Sequence, residues 1–214
     1  MNIHSSVGIS RRGVLAAAGA SAAFGAWAQG LPGGASDVYA TLSEPVAEDR
    51  SKVVEFFAYT CPYCQRMHSA LGAWARTLPK KVAFESIAVP LLGSQIEYEV
   101  LLFRAGIVAS SPSLLAAFDQ AVLDRLSVSG AMLDYKLIGA AFAEVGLSVE
   151  AVRRGTASRG RALVEGWLSR AGRYRINATP SIGVGGRYVV TPDSVGGRFD
   201  LFPSLLNGLV SRIV

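Results

Sequence analysis

The sequence is poor in residues that form covalent cross-links and metal sites. Its 214 residues include only 2 cysteines and 2 histidines. A scaffold built on several disulfides is excluded, because such a framework needs more cysteines, spread more widely. The chain has no internal repeat and no low-complexity tract, which excludes a repeat array. Because Cys61 and Cys64 lie only three residues apart, they are the first place to look for chemistry.

Charged residues are also few, and the excess of positive over negative charge is small. Charged residues make up 17% of the chain and the formal net charge is +5. Arg11 and Arg12 supply two of these positive charges, and no basic cluster follows them. This balance argues against nucleic acid as the main partner. Hydrophobic residues make up 50% of the chain, which is enough for a core and excludes a disordered or fibrous protein.

Residues 1–28 contain no acidic residue and are predicted to be a signal peptide. Arg11 and Arg12 precede an uncharged run rich in Ala and Gly, and Ala26-Trp27-Ala28 has the small-x-small pattern of a cleavage site. An uncleaved anchor or a buried helix is the alternative, but the run is short and weakly hydrophobic. The segment 10–15 also resembles a twin-arginine signal. The mature chain is expected to begin near Gln29, in an oxidising compartment where a disulfide persists.

After this segment, strand and helix signals alternate and predict an α/β fold. No apolar run of about 18 residues or more occurs there, so no membrane-spanning helix is expected. Residues 38–42 favour a short edge strand, and 53–59 are nearly all apolar, as in a strand buried on both faces. A helix is expected from Cys61 to about Thr77. A strand at 82–89 then completes a β-α-β unit with parallel strands.

Residues 91–174 are predicted to form a helical subdomain inserted into a core made of 29–90 and 175–214. Helical spacing of apolar residues occurs in 98–105, 114–126, 132–145 and 162–168, with Gly and Ser between them. Strand signals return at 182–184 and 188–190, on either side of a tight Gly185-Gly186 turn. A final helix is expected from Ser194 onward, with Gly196-Gly197 at its start.

Cys61-Pro62-Tyr63-Cys64 is the motif that carries chemistry. A C-x-x-C that follows a buried strand and opens a helix is typical of dithiol redox proteins. The helix start offers unpaired amide protons and a positive dipole, which favour a thiolate at Cys61. Cys64 is expected about one turn away and more deeply buried, where it acts as the resolving thiol.

Two cysteines at this spacing could also form a structural disulfide, bind a metal ion or attach haem. A structural disulfide closing so small a loop gains little entropy. A metal-binding module would use Cys61, Cys64 and His68, yet no second C-x-x-C exists to complete it. Haem attachment fails because Gln65 follows Cys64. His68 is interpreted as a partly exposed helix residue rather than a catalyst.

The chain resembles the DsbA family of periplasmic thiol:disulfide oxidoreductases. This resemblance implies a thioredoxin-like core with an inserted helical subdomain and extends over residues 38–214. The dipeptide Pro62-Tyr63 differs from the Pro-His usual in that family. The resemblance rests on the following segments: Tyr39 to Val46, Val54-Glu55-Phe56-Phe57 before the C-x-x-C, Thr179-Pro180 before Ser181-Ile182, and Gly185-Gly186-Arg187-Tyr188.

Further site residues are implied by the same resemblance. Thr179-Pro180 is expected to be a cis peptide bond beside the sulfurs, with the Thr179 backbone offered to substrate peptides. Glu55 lies among apolar residues, so its carboxyl is expected to be buried and to pass a proton to or from Cys64. The family pairs such a glutamate with a lysine on the next strand, where this chain has lysines only at the start, Lys80 and Lys81.

The resulting hypothesis is an exported, monomeric enzyme that donates its Cys61–Cys64 disulfide to folding exported proteins. The disulfide is itself the redox group, so no organic cofactor or metal is required. The resemblance implies reoxidation by a quinone-linked membrane oxidase of the DsbB type. A reductase or isomerase of the same fold remains an alternative, as does the metal-binding module.

Overall fold

The computed structural model describes residues 38–90, 104, 111–129, 134–148 and 159–214. The predicted signal peptide and nearly all of the helix predicted at 98–105 lie outside the described residues. No described helix has the length and apolar character needed to cross a membrane. The described strands are β1 Ala40–Thr41, β2 Lys52–Phe57, β3 Ala83–Ala88, β4 Ser181–Val184 and β5 Tyr188–Val190. The described α-helices are α1 Pro62–Ala75, α2 Leu115–Ser129, α3 Tyr135–Glu144, α4 Arg159–Arg173 and α5 Phe202–Val210.

The five strands form one mixed sheet in the order β1-β5-β4-β2-β3. β2 and β3 run parallel, as predicted for the two ends of a β-α-β unit. β4 runs antiparallel to β2, and the β4–β5 hairpin turns at Gly185 and Gly186, whose φ angles are +63° and +65°. β1 lies at the edge, as predicted. The cysteine motif therefore sits at the end of the internal strand β2, where its last residues lead into α1.

β2 is buried on both faces, which is what its near-continuous apolar sequence predicts. On one face Val53 packs with residues of α1 and α5, among them Leu71 and Leu206. On the other face Val54 and Phe56 pack in a cluster that contains Tyr174. Because side chains alternate along a strand, Glu55 points to the same face as Val53, toward α1.

The described helices between β3 and β4 agree with the predicted segments 114–126, 132–145 and 162–168. Phe118 of α2 stacks on Phe142 of α3, with ring centroids 4.9 Å apart. Both rings belong to the cluster of buried residues that also holds Cys61 and Cys64. This contact places α2 and α3 under the cysteine motif.

The prediction for the last helix is wrong at its start. The α-helix begins at Phe202, not at Ser194. Residues Pro192–Val195 form only a 3₁₀ turn, which ends at Gly196. Gly196 and Gly197 have φ angles of +60° and +74°, and this left-handed conformation cannot continue a right-handed helix. The two glycines therefore separate two short elements rather than opening one long helix.

Candidate active site

Cys61 occupies the N-cap position of α1, and Pro62 is the first helical residue. Proline suits that position because it has no amide proton that needs a helical partner. The Cys61 sulfur accepts a hydrogen bond from the Cys64 amide, with Sγ and N 3.4 Å apart. Both cysteines are free thiols in this structure. The strand-to-helix turn thus brings the two sulfurs together at the helix start, as the sequence predicts.

The environment lowers the pKa of Cys61 to about 5. The hydrogen bond from the Cys64 side chain is the largest cause, and the amides of Cys64 and Tyr63 add to it. Burial works in the opposite direction, since only 5% of the residue is exposed, but it is outweighed. At neutral pH the Cys61 sulfur is therefore a thiolate, the reactive form of cysteine.

Cys64 has the opposite character. It is completely buried, and burial raises the pKa of its thiol well above the usual range. Its hydrogen bond to Cys61 and the charge of the Cys61 sulfur raise that pKa further. Two thiols three residues apart thus differ sharply in ionisation, with a reactive thiolate at the surface side and a protonated thiol beneath it.

The peptide bond between Thr179 and Pro180 is cis, as predicted. It immediately precedes β4, the strand next to β2, which brings this loop to the N-terminus of α1. The Cys61 sulfur lies 3.2 Å from the carbonyl oxygen of Thr179, to which it donates a hydrogen bond when it is protonated. The loop therefore lies directly against the reactive sulfur.

Tyr63 forms an exposed aromatic surface beside Cys61. Its side chain is 48% exposed, and its ring centroid lies 5.7 Å from that of Phe199. The guanidinium of Arg66 lies over the Tyr63 ring at 4.7 Å. Cys61 thus borders an apolar surface with a positive group at its edge.

Glu55 is buried, as predicted, and its partners differ from the lysine with which the DsbA family pairs such a glutamate. In the register of the sheet, Glu55 pairs with Ser86 of β3, and the Ser86 hydroxyl donates to Oε2 at 2.7 Å. The cation comes from α1 instead. His68 Nδ1 lies 3.2 Å from Oε1 and 3.1 Å from Oε2.

The interpretation of His68 as a partly exposed residue is therefore wrong. The side chain is buried, with 7% of the residue exposed. It follows Cys64 by four residues, and the buried residues Cys64, His68 and Leu71 have helical spacing. That spacing is the sequence signal that predicts burial of His68.

A second buried cluster near the site was missed by the sequence analysis. Arg104 and Asp119 of α2 form an ion pair at 3.4 Å, and both side chains are inaccessible to solvent. The Tyr59 hydroxyl donates to Asp119, and Arg104 donates to the carbonyl of Ser86. The rings of Phe57 and Trp167 lie within 5.3 and 4.9 Å of the Arg104 guanidinium. This cluster connects β3 and α2 to the turn that precedes Cys61.

The metal-binding alternative finds no support in the geometry. Nowhere in the described part of the chain do three His, Cys, Asp or Glu side chains converge so that they could hold a metal ion. His68 directs Nδ1 to the Glu55 carboxylate instead. The proposed ligand set of Cys61, Cys64 and His68 is therefore not assembled.

Comparison with known proteins agrees with this geometry. A family model described as thioredoxin matches residues 47–197. The thiol:disulfide interchange protein DsbA of Bordetella parapertussis is 24% identical over 191 residues, which cover 86% of this chain and 88% of the relative. The crystal structure of Pseudomonas aeruginosa DsbA has a TM-score of 0.69 at 22% identity and covers 82% of this chain and 92% of that one. Proteus mirabilis DsbA, in complex with a non-covalently bound peptide, has a TM-score of 0.66 at 19% identity and covers 82% and 97%. The predicted fold and the resemblance to DsbA are both confirmed.

Proposed function

Because the chain belongs to the thioredoxin family, we propose that it is a thiol:disulfide oxidoreductase that donates its Cys61–Cys64 disulfide to folding proteins. The observation that carries this proposal is the contrast in ionisation between the two thiols. A thiol of low pKa is a good leaving group in thiol–disulfide exchange. Cys61 has that property, and it lies at the accessible end of the pair.

The exchange proceeds in two balanced steps. A substrate thiolate attacks the Cys61 sulfur, the Cys61–Cys64 bond breaks, and the Cys64 sulfur leaves and takes up a proton. A second substrate thiolate then attacks the substrate sulfur of the mixed disulfide, and Cys61 leaves as a thiolate. The substrate gains a disulfide and loses two electrons, which the enzyme retains as two reduced cysteines.

The loop of Thr179 and Pro180 is the proposed substrate contact. Thr179 presents its backbone to the reactive sulfur at 3.2 Å, where an extended peptide can pair with it as a short strand. The Proteus mirabilis relative, solved with a non-covalently bound peptide, supports a peptide substrate. The exposed Tyr63 and Pro62 border the same sulfur and would contact residues next to the substrate cysteine.

The proposed setting of the reaction is the periplasm. Residues 1–28 are the proposed signal peptide, which would deliver the enzyme to the periplasm as a monomer. There it would act on exported proteins, and a membrane oxidase of the DsbB type would restore its disulfide. The core would consist of 29–90 and 175–214, with 91–174 as the inserted helical subdomain.

Trapping of mixed disulfides tests the roles of the two cysteines. Reduced Cys64→Ser is expected to attack a disulfide peptide through Cys61 and to remain attached, because no thiol resolves the adduct. Cys61→Ser should form little adduct, since the remaining thiol is buried and protonated. Non-reducing gels and intact-mass measurement follow both variants. Equal trapping by the two would overturn the assignment, and loss of exchange in the unaltered protein would overturn the proposed function.

A further inference from the structure

A buried carboxylate needs a compensating positive charge, and at Glu55 this charge comes from a histidine, His68, which can lose its proton. The Glu55 and His68 side chains are only 1% and 8% exposed, and they form the one ion pair found for Glu55 among the described residues. An unpaired charge at such a site is strongly destabilising. A histidine supplies its positive charge only below its pKa, so the net charge of this pair changes from zero to −1 as the pH rises.

The pair lies close to the thiol that leaves during exchange. Cys64 and His68 are both buried and are separated by four residues on α1. This separation places them on one helical face, with Cβ atoms about 5–6 Å apart. The electrostatic interaction between two charges at such a separation remains substantial inside a protein. Cys64 therefore senses whether the pair is neutral or negative.

His68 can still exchange protons with solvent. It borders a cavity of about 620 Å³ between α1, β3 and α2, which is also lined by Gly72, Phe84 and Gln120. Beyond residue 28, His68 is the only histidine in the chain. A pH-dependent step in the neutral range therefore cannot come from another histidine of the mature protein.

The charged groups around His68 come from three parts of the fold. Burial lowers the pKa of His68, but Glu55 of β2 outweighs it through charge and hydrogen bonding, and Asp119 of α2 raises the pKa further. Arg104 lowers it, although Arg104 and Asp119 are themselves an ion pair. The result is a pKa above the usual histidine value, so His68 keeps its charge to a higher pH than an ordinary histidine does.

We propose that His68 is a positioning residue for exchange, which sets the charge one helical turn from Cys64 and thereby the rate at which the Cys61–Cys64 disulfide opens. Opening produces a thiolate at Cys64. A neutral pair does not oppose this charge, whereas a pair that carries −1 repels it. This inference rests on the proposed function, because it concerns the opening step of that exchange.

The test uses the oxidised full-length chain, or its processed form, with reduced glutathione between about pH 5 and 9. Opening rates are divided by the thiolate fraction of glutathione, which removes the titration of the attacking thiol. In the unaltered protein the corrected rate should fall about tenfold as His68 loses its proton. Both cysteines are bonded to each other in this form, so their own titration does not contribute.

The variants separate a charge effect from a structural one. His68→Gln should give a low rate without the pH step, while His68→Lys should restore the high rate above neutral pH. His68→Gln combined with Glu55→Gln should be fast at every pH, because no charge remains. Lys80→Gln removes an exposed positive charge that does not line the cavity beside His68 and should keep the step.

Either of two results would overturn the inference: an unchanged pH step in His68→Gln, or a double variant as slow as the single one. If His68→Gln does not fold, the Glu55→Gln variant tests the inference instead. Its step should move to lower pH, because the carboxylate no longer favours the protonated imidazole, and an unmoved step would count against the proposal. Absence of any exchange in the unaltered protein would instead overturn the proposed function itself.

Discussion

Asp49 and Glu55 are both carboxylates of 0% exposure, and they are held in different ways. Asp49 accepts two hydrogen bonds from Arg170, at 2.8 and 2.7 Å, and a third from the Tyr174 hydroxyl at 2.9 Å. Lys52 lies 3.5 Å away as a further cation. Glu55 has a serine hydroxyl and a histidine. Arg170 keeps its charge over the whole neutral range, because Asp49 and Glu85 raise the pKa of its guanidinium further, whereas a histidine can lose its charge there.

The difference follows the position of each carboxylate in the fold. Asp49 fastens α4 to the segment that precedes β2, far along the chain from its partner Arg170. A permanent arginine suits such a role, because a bidentate pair fixes geometry and keeps its charge at any working pH. Glu55 pairs instead with His68, which lies four residues after Cys64 on α1, and the charge of a histidine can change in the neutral range. We therefore regard Asp49 as a structural carboxylate and Glu55 as the carboxylate on which the proposed role of His68 depends.

The largest expected effect is on folding, through Asp49. Asp49→Asn removes the buried partner of Arg170, which is itself partly buried and keeps Glu85 at 2.9 Å as its remaining carboxylate. Breaking a fully buried pair costs about 3–5 kcal/mol of unfolding free energy, so the loss here is expected to reach at most that size. Urea denaturation measures the loss, and the pKa of Cys61, read from its rate of alkylation, should stay near 5.

The matched control is the exposed pair next to it. Arg173 bonds Glu48 at the surface, about half exposed on both sides, and Glu48→Gln should leave the urea midpoint nearly unchanged. If Asp49→Asn were as mild as this control, the buried cluster would not fasten α4. If it altered the Cys61 pKa, the separation between structural and chemical carboxylates would be lost.

The second expected effect is a dependence of the stability of the reduced protein on pH, which comes from the two cysteines. The folded pKa of Cys61 is about 5, against about 8.5 in an unfolded chain. A lowered pKa stabilises the reduced form fully above the unfolded value, and the gain disappears as pH falls through 5. At pH 7 the two units between 5 and 7 correspond to at most about 2.7 kcal/mol, less the part screened by solvent.

The reduced protein should therefore melt above the oxidised protein at pH 7, with the difference shrinking toward pH 4. Above about pH 8.5 the trend should reverse, because the raised pKa of Cys64 favours the unfolded chain once its thiol can ionise there. Thermal melts of both redox forms check this. An oxidised form that melts higher at pH 7 would contradict the donor role and favour a reductase.

The sequence predicts those parts of the molecule that depend on local pattern. The apolar run of β2, the proline after Cys61 and the Gly185-Gly186 turn each specify their element from neighbouring residues. The start of α5 was mispredicted because Gly196 and Gly197 adopt a left-handed conformation that their presence alone does not require. Either a helix start or a turn is compatible with two adjacent glycines.

The partners of the buried charges could not be predicted in this way. Arg170 reaches Asp49 across 121 residues, and Ser86 reaches Glu55 only because β2 and β3 pair in a particular register. Such contacts depend on the whole fold rather than on spacing along the chain. His68 is the intermediate case, since helical spacing from Cys64 indicates its burial but does not identify Glu55 as its partner.

The smallest expected effect concerns the Ser86 hydroxyl, which shares the Glu55 carboxylate with His68. Ser86→Ala removes a hydrogen bond to the carboxylate, and a bond to a charged group contributes about 1.5–3 kcal/mol, less where water can replace it. Ser86 borders the cavity beside His68, which water can enter, so a loss of about 1 kcal/mol is expected in urea denaturation. Ser86→Thr keeps the hydroxyl and should recover most of the lost unfolding free energy.

The pH step in disulfide opening should persist in both variants, because His68 still pairs with Glu55. If the step disappeared in Ser86→Ala, the hydroxyl rather than the histidine would control the charge beside Cys64.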